Sequence, residues 1–267
     1  ETDIGHLQQD LYGQRIIDEF AEAGVDTSQV VFSDDMITPL ASVLVNRLTG
    51  SRTIITRKMQ TPPSLTYEQK LKLDDLAERL IASEEPVTIL IDGHEAEISE
   101  YLIKKLPNAR VVMDGGSLRA SNIKLAAWTD YFVVSEHFAR DYMSYRSLST
   151  EAEIKAALIE LNKICRGEAF ITLGEKGCAF LKSGMLQIVP SWLCNAVDTT
   201  GAGDVFHGAF TYGVHYSWHI DNIILFASLT AAISIEKKGV RESMPDLAVV
   251  HHSLNSYERN LTQYFEE

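Results

Sequence analysis

Between Tyr12 and Glu22 the apolar residues Ile16, Ile17 and Phe20 fall on one helical face, and Gly24 follows as a stop signal. Two β-rich runs come next, LASVLVNRL from Leu40 and RTIITRK from Arg52, separated by Thr49, Gly50 and Ser51, which suit a hairpin turn. Such a ribbon fits a flap or lid as well as it fits packing at a sheet edge. Beyond Pro62 and Pro63 the rhythm becomes regular. Leu73, Leu76 and Leu80 mark a helix, VTILID from Val87 reads as a buried strand, and Ile98, Leu102 and Ile103 mark the next helix. VVMD at Val111, YFVVS at Tyr131 and AFITLG at Ala169 are further strand-like runs, divided by segments of helical period such as Ile154, Leu158 and Leu161. Strands alternating with helices at this spacing predict an α/β fold whose mainly parallel sheet is covered on both faces. From Cys178, CAFLKSGMLQIVP predicts a hairpin turning at Ser183 and Gly184. Helices are then expected from Val205 to about Tyr216, from Ile223 to about Ile235, and near Leu247 to Leu254.

A chain of 267 residues can bury a large core as one α/β domain. Its 24 basic and 37 acidic residues give a formal charge of −13, which disfavours nucleic acid and anionic membranes as partners. An anionic ligand therefore has to be held by local geometry. No run of about 18 uncharged apolar residues occurs and nothing resembles a positively flanked export segment, so a soluble, cytoplasmic protein is expected. Cys165, Cys178 and Cys194 are odd in number and lack the close pairing of zinc sites, so they read as buried or spare thiols in a reducing compartment. His215 and His219 have the spacing of a metal pair, but no partner motif accompanies them and Trp218 beside them points to packing. At Glu1 there is no initiator methionine and no evident opening strand, so the sequence is expected to start part-way into a larger protein.

The densest chemistry lies in AVDTTGAGDVFHGAF, Ala196 to Phe210. Its glycines allow a turn whose N–H groups converge at a helix start, where the partial positive charge of the helix end favours an anion. A carboxylate there makes sense if Asp204 takes a proton from an alcohol while the amides of Gly201, Ala202 and Gly203 steady a transferring phosphoryl group. Equally, Asp204 can be read as nothing more than a helix cap after a tight turn. Asp92 and Asp114 each follow a strand-like run on the expected ligand edge, and Arg119 offers a planar fork for an anionic group.

DTTGAGDVFHGAF resembles the C-terminal signature of the ribokinase-like (PfkB) carbohydrate kinases, and two further segments agree with it. ITLGEKGC resembles that family's nucleotide-binding strand and turn, and the stretch from Gly5 to Val30 resembles the segment before its lid strands. The resemblance runs over nearly the whole chain. It implies a three-layer α/β/α ribokinase-like fold over residues 1–267, with residues 38–59 as strands of a small β lid. It implies ATP as phosphoryl donor and a small sugar as acceptor, with Asp204 as catalytic base and Gly201, Ala202 and Gly203 as the anion hole. Thr172, Gly174 and Gly177 then border the nucleotide, and Gly239 in KKGVRESMP belongs to the loop over the adenine. Asp198 and Thr200 match positions that hold a monovalent cation such as potassium (K+), and Asp114 and Arg119 are candidates for the sugar. Lid strands in this family often pair between subunits, so a homodimer is expected.

Three departures qualify that picture. Where the family often has Asn-x-x-Glu to organise magnesium (Mg2+), this chain reads SEHF, with Ser135 and Phe138 at the two positions and Glu136 the nearest carboxylate. That change, with DGHEAE and the DVFHGA variant, is closer to the ketohexokinase and sulfofructose kinase branch. The family's opening strand, the other half of its lid and its Gly-Gly-x-x-Asn sugar-binding segment are not visible before Glu1, in keeping with a sequence expected to start part-way into a larger protein. Two other readings stay open: a kinase-like nucleotide-binding or regulatory protein without catalysis, and a nucleoside kinase.

Overall fold

In the computed structural model, which describes residues 1–34, 36–45, 52–56 and 64–254, the chain divides into two units. The first comprises Glu1–Ser83 and Glu97–Lys105, the second Glu84–Ala96 and Leu106–Glu267.

In the first unit, strand β1 (His6–Leu7) pairs in parallel with β2 (Val31–Phe32), and helix α1 (Leu11–Glu22) connects them. Two residues per strand are too few to show a period of two in the sequence, which is why neither strand is expected from it. Asp10 starts α1 by accepting the Gly13 N–H at 2.7 Å. Strands β3 (Ala41–Val45) and β4 (Arg52–Thr56) form the predicted antiparallel ribbon, while its expected turn at Thr49–Ser51 and the prolines Pro62 and Pro63 lie outside the described residues. Helix α2 (Tyr67–Ala82) opens with a capping box between Thr66 and Gln69, and its Leu73 packs with Ile98 and Leu102 of α3 (Ala96–Lys105).

The second unit is built on six strands: β5 (Thr88–Ile91), β6 (Arg110–Gly115), β7 (Tyr131–Ser135), β8 (Glu168–Thr172), β9 (Cys178–Lys182) and β10 (Met185–Val189). Their order is β10-β9-β8-β7-β6-β5, with β5 to β8 mutually parallel and β8, β9 and β10 antiparallel. The hairpin turns at Ser183 and Gly184 as expected, both with positive φ (52° and 75°), the backbone that matches the twist of a tight hairpin. Five helices accompany the sheet: α4 (Ala120–Ala126), α5 (Glu136–Tyr142), α6 (Glu151–Ile164), α7 (Ala202–His215) and α8 (Ile220–Ser234). Residues 247–254 are also helical.

Strand alternation sends Phe170 to one face, where it meets Phe210 of α7 edge-to-face at 5.3 Å. Phe132 faces the other side and meets Phe138 of α5 at 5.6 Å. Each fully buried phenylalanine contributes about 1.5–3 kcal/mol, so these contacts hold a helical layer on each face. VTILID is a correction: β5 is an edge strand of the described sheet, and Leu90 is 44% exposed. His215 ends α7 whereas His219 precedes α8 as its N-cap, so the two histidines share no helix. Among the described residues no helix is long and apolar enough to cross a membrane.

Candidate active site

Because β5 to β8 run in parallel, Asp92, Asp114, Ser135 and Thr172 reach the same sheet edge, the edge at which open α/β sheets bind ligands. Helix α7 begins there too, since its His207 ring reaches the Val133 carbonyl of β7 and Asp114 of β6. Its N-cap, Gly201, has φ 76°, and a Cβ at that position would collide with Val240. Only glycine suits that left-handed, crowded position. No side chain caps this helix. The N–H groups of Gly201, Gly203 and Asp204 have no protein acceptor among the described residues, and that of Ala202 has only a long 3.4 Å bond to the Thr199 carbonyl. Four converging amides at a helix start, largely unused by the fold, form a ready cradle for an anion.

The turn before α7 is tied down from behind. Asp198 accepts the Thr200 N–H at 3.1 Å and the Gly239 N–H at 3.4 Å, while Val197 and Asp198 both donate to the Ile235 carbonyl. Asp198 thus joins the glycine turn to the loop that carries Gly239, whose φ is 90°.

Asp204, in the first turn of α7, is open to solvent, although the surrounding protein strips part of its water. That desolvation, followed by the Asp114 carboxylate, raises its pKa above the ordinary aspartate value; His207 pulls it back and Asp92 adds a smaller push. Asp92 itself accepts the His94 N–H at 2.8 Å.

Thr172 ends β8, its hydroxyl donating to the Val134 carbonyl at 3.4 Å. A short 3-10 turn, Gly174–Lys176, follows, with Gly174 at φ 59°. Gly177 then stands at φ 101°, where a Cβ would strike the Val189 carbonyl. Arg119 is the half-buried N-cap of α4 and has no ion-pair partner among the described residues. The Asn-x-x-Glu positions are fully spent on the fold: Ser135 caps α5 by accepting the Phe138 N–H at 3.0 Å and donates to the Gly116 carbonyl at 2.9 Å, and Phe138 is wholly buried. Cys178 is buried, which pushes its thiol up, and burial lifts Cys165 to about 11, so neither serves as a nucleophile.

Sequence reasoning passed over His207, 3% exposed in the interior of α7. The available signal was a histidine among the apolar residues of that helix, three places after Asp204.

A three-layer sheet of this order, with an open glycine turn at the carboxyl edge of its parallel strands, is the ribokinase-like α/β class. A ribokinase from Arabidopsis thaliana, solved in complex with ribose and ATP, shares the fold with a TM-score of 0.76 at 20% identity, over 94% of this chain and 80% of that one. A ribokinase of Lactococcus lactis subsp. lactis is 27% identical over 97% of this chain and 80% of its own length, and Fructokinase-2 of Oryza sativa subsp. japonica is 23% identical over 94% and 79%. The model of the pfkB family carbohydrate kinases matches residues 2–247, and the chain belongs to that family. It is accordingly a phosphotransferase with an alcohol group as acceptor.

Proposed function

We propose that this protein transfers the γ-phosphoryl group of ATP to a hydroxyl of a small sugar, with Asp204 as the general base. The observation that carries the reading is the pairing of open N–H groups at the start of α7 with a carboxylate in the same turn, solvent-accessible and only partly desolvated. Asp204 accepts the proton of the sugar hydroxyl as the oxygen attacks phosphorus. The amides of Gly201, Ala202 and Gly203 hold the charge that spreads over the phosphoryl oxygens, and the bond to the leaving ADP oxygen breaks. Thr172, Gly174 and Gly177 border the nucleotide phosphates, with Gly239 on the adenine side. Asp114 and Arg119 meet the sugar, the arginine suiting an acceptor that carries an anionic group.

Among the described residues no three metal-ligating side chains cluster, and Ser135 and Phe138 do not fit a magnesium-organising pair. Magnesium belongs with the ATP phosphates, whose charge it offsets, rather than with a protein cage. Asp198 and Thr200, which the family resemblance assigns to a potassium ion, stand side by side in this turn, joined by the Thr200 N–H donating to Asp198. The ribbon β3–β4 exposes Leu44 (58%) and Ile55 (56%), which supports pairing with a second copy through this ribbon.

The test is ADP release from the full chain with ATP and a panel including D-ribose, D-fructose, their phosphates and a nucleoside. Turnover of a sugar that falls on the order of a thousandfold in Asp204→Asn, with ATP affinity kept, supports the reading. Equal rates in the variant overturn it, and ATP binding without turnover across the panel identifies a binding protein instead.

A further inference from the structure

Among the described residues His207 is the one histidine enclosed by α7 and the sheet edge, and each of its ring nitrogens lies against protein oxygen. Nδ1 lies 2.7 Å from the Gly203 carbonyl oxygen and 3.4 Å from Asp114 Oδ2, and Nε2 lies 3.2 Å from the Val133 carbonyl oxygen. Carbonyls accept and cannot donate, and neither can an ionised carboxylate. A neutral ring has one N–H, so either tautomer would set a nitrogen lone pair against a carbonyl lone pair in a site with almost no water. A ring with a proton on each nitrogen satisfies every contact.

We infer that His207 is a buried imidazolium and a positioning residue: it ties the first turn of α7 to β6 and β7 and supplies the positive charge that lets Asp204 work beside Asp114. The second half of this inference rests on the proposed role of Asp204 as base. The groups that face the ring are the Gly203 carbonyl of α7, the Asp114 carboxylate of β6 and the Val133 carbonyl of β7; the charges acting on Asp204 are Asp114, Asp92 and His207 itself. Of these three, His207 alone favours the ionised form. Without it, three carboxylates share one edge and Asp204 keeps its proton to higher pH, where it can no longer accept one from a sugar. The bond to Gly203 has a geometric role as well, since it holds the residue next to the base from beneath.

The experiment uses the full chain labelled on histidine rings and aspartate carboxyls, followed by NMR without any substrate. The ring signals of His207, assigned by their loss in His207→Gln, are expected to show two protonated nitrogens at neutral pH; one unprotonated nitrogen overturns the inference. The Asp204 carboxyl signal, assigned by its loss in Asp204→Asn, is expected to titrate at higher pH in His207→Gln than in the wild type. A structural role alone would leave that midpoint where it was, and an unmoved midpoint overturns the electrostatic half. Should His207→Gln fail to fold, the ring shifts of the wild type, assigned in that case by selective coupling to Asp114 and Val133 neighbours, still decide the charge. Wild-type-like turnover in Asp204→Asn defeats the base assignment instead, and that result is distinct because the ring spectrum does not depend on it.

Discussion

Helices α5 and α7 both start at the carboxyl edge of the sheet, and their first turns are finished in opposite ways. At α5 the cap is Ser135, whose hydroxyl takes the Phe138 N–H while Phe138 itself fills the core. At α7 the cap is Gly201, which has no side chain to offer, and the amides behind it stay open. Every helix start leaves N–H groups to be satisfied, and a serine cap contributes about 1 kcal/mol that a helix without one forgoes. The fold takes that stability at α5 and leaves it at α7. Of these two junctions, the one at α7 is left open and the one at α5 is closed by its own cap.

The largest effect is expected from reversing α5. Ser135→Asn with Phe138→Glu restores Asn-x-x-Glu, yet it places a carboxylate where a phenylalanine packs against Phe132. Loss of that ring alone costs about 3–5 kcal/mol, and the buried charge adds to it. Urea unfolding should show a collapsed midpoint or no folded protein; a wild-type midpoint would mean that α5 is not closed by its core. Next comes the opposite exchange, Gly201→Ser, which gives α7 the residue that seals α5. Its Cβ collides with Val240 at a left-handed φ, a strain of about 1–2 kcal/mol, and its hydroxyl competes for the open amides. Turnover should drop on the order of 10²- to 10³-fold, as when an oxyanion donor is lost. Unchanged kcat would remove those amides from the mechanism. A smaller effect is expected from Ser135→Ala, which removes the cap and the bond to Gly116: about 1–2 kcal/mol of stability in a thermal melt, with kcat unaltered. A fall in kcat would restore a catalytic duty to this strand end.

How far the sequence revealed these junctions follows from the same physics. The glycine turn was legible because positive φ demands glycine, and Gly201 and Gly177 both sit where a side chain would collide. The Ser183–Gly184 hairpin was legible for a related reason, both residues adopting the left-handed backbone. Short elements were not: α4 and α5 span seven residues each, about two turns, too little for a period of 3.6 to emerge. The exposure of Leu90 could not be read either, because an apolar run looks the same in a central strand and at an edge. His207 stayed hidden inside its motif, since its partners Asp114 and Val133 lie far away in the sequence and meet it only through the fold.

The mildest effect concerns stability at Asp204. Its carboxyl titrates above the ordinary aspartate value, chiefly through desolvation and then through Asp114. In the window between the unfolded and the folded value the native state binds more protons than the unfolded chain, so stability falls as pH rises through that window. Above it, at neutral pH, the ionised carboxylate is a standing cost to the fold, kept small because solvent screens a group that is open on one side. Asp204→Asn removes that cost, so thermal melts should show the variant slightly more stable than the wild type at neutral pH, with the gain fading as pH drops below the ordinary carboxylate range. The same substitution is expected to lose nearly all turnover, so one residue change would raise the melting temperature and silence the enzyme together. A variant that melts lower at neutral pH would mean that Asp204 serves α7 as a stabilising acid at the helix start, as Glu136 is placed to do in α5, and the contrast between the two helices would then lie in their caps alone.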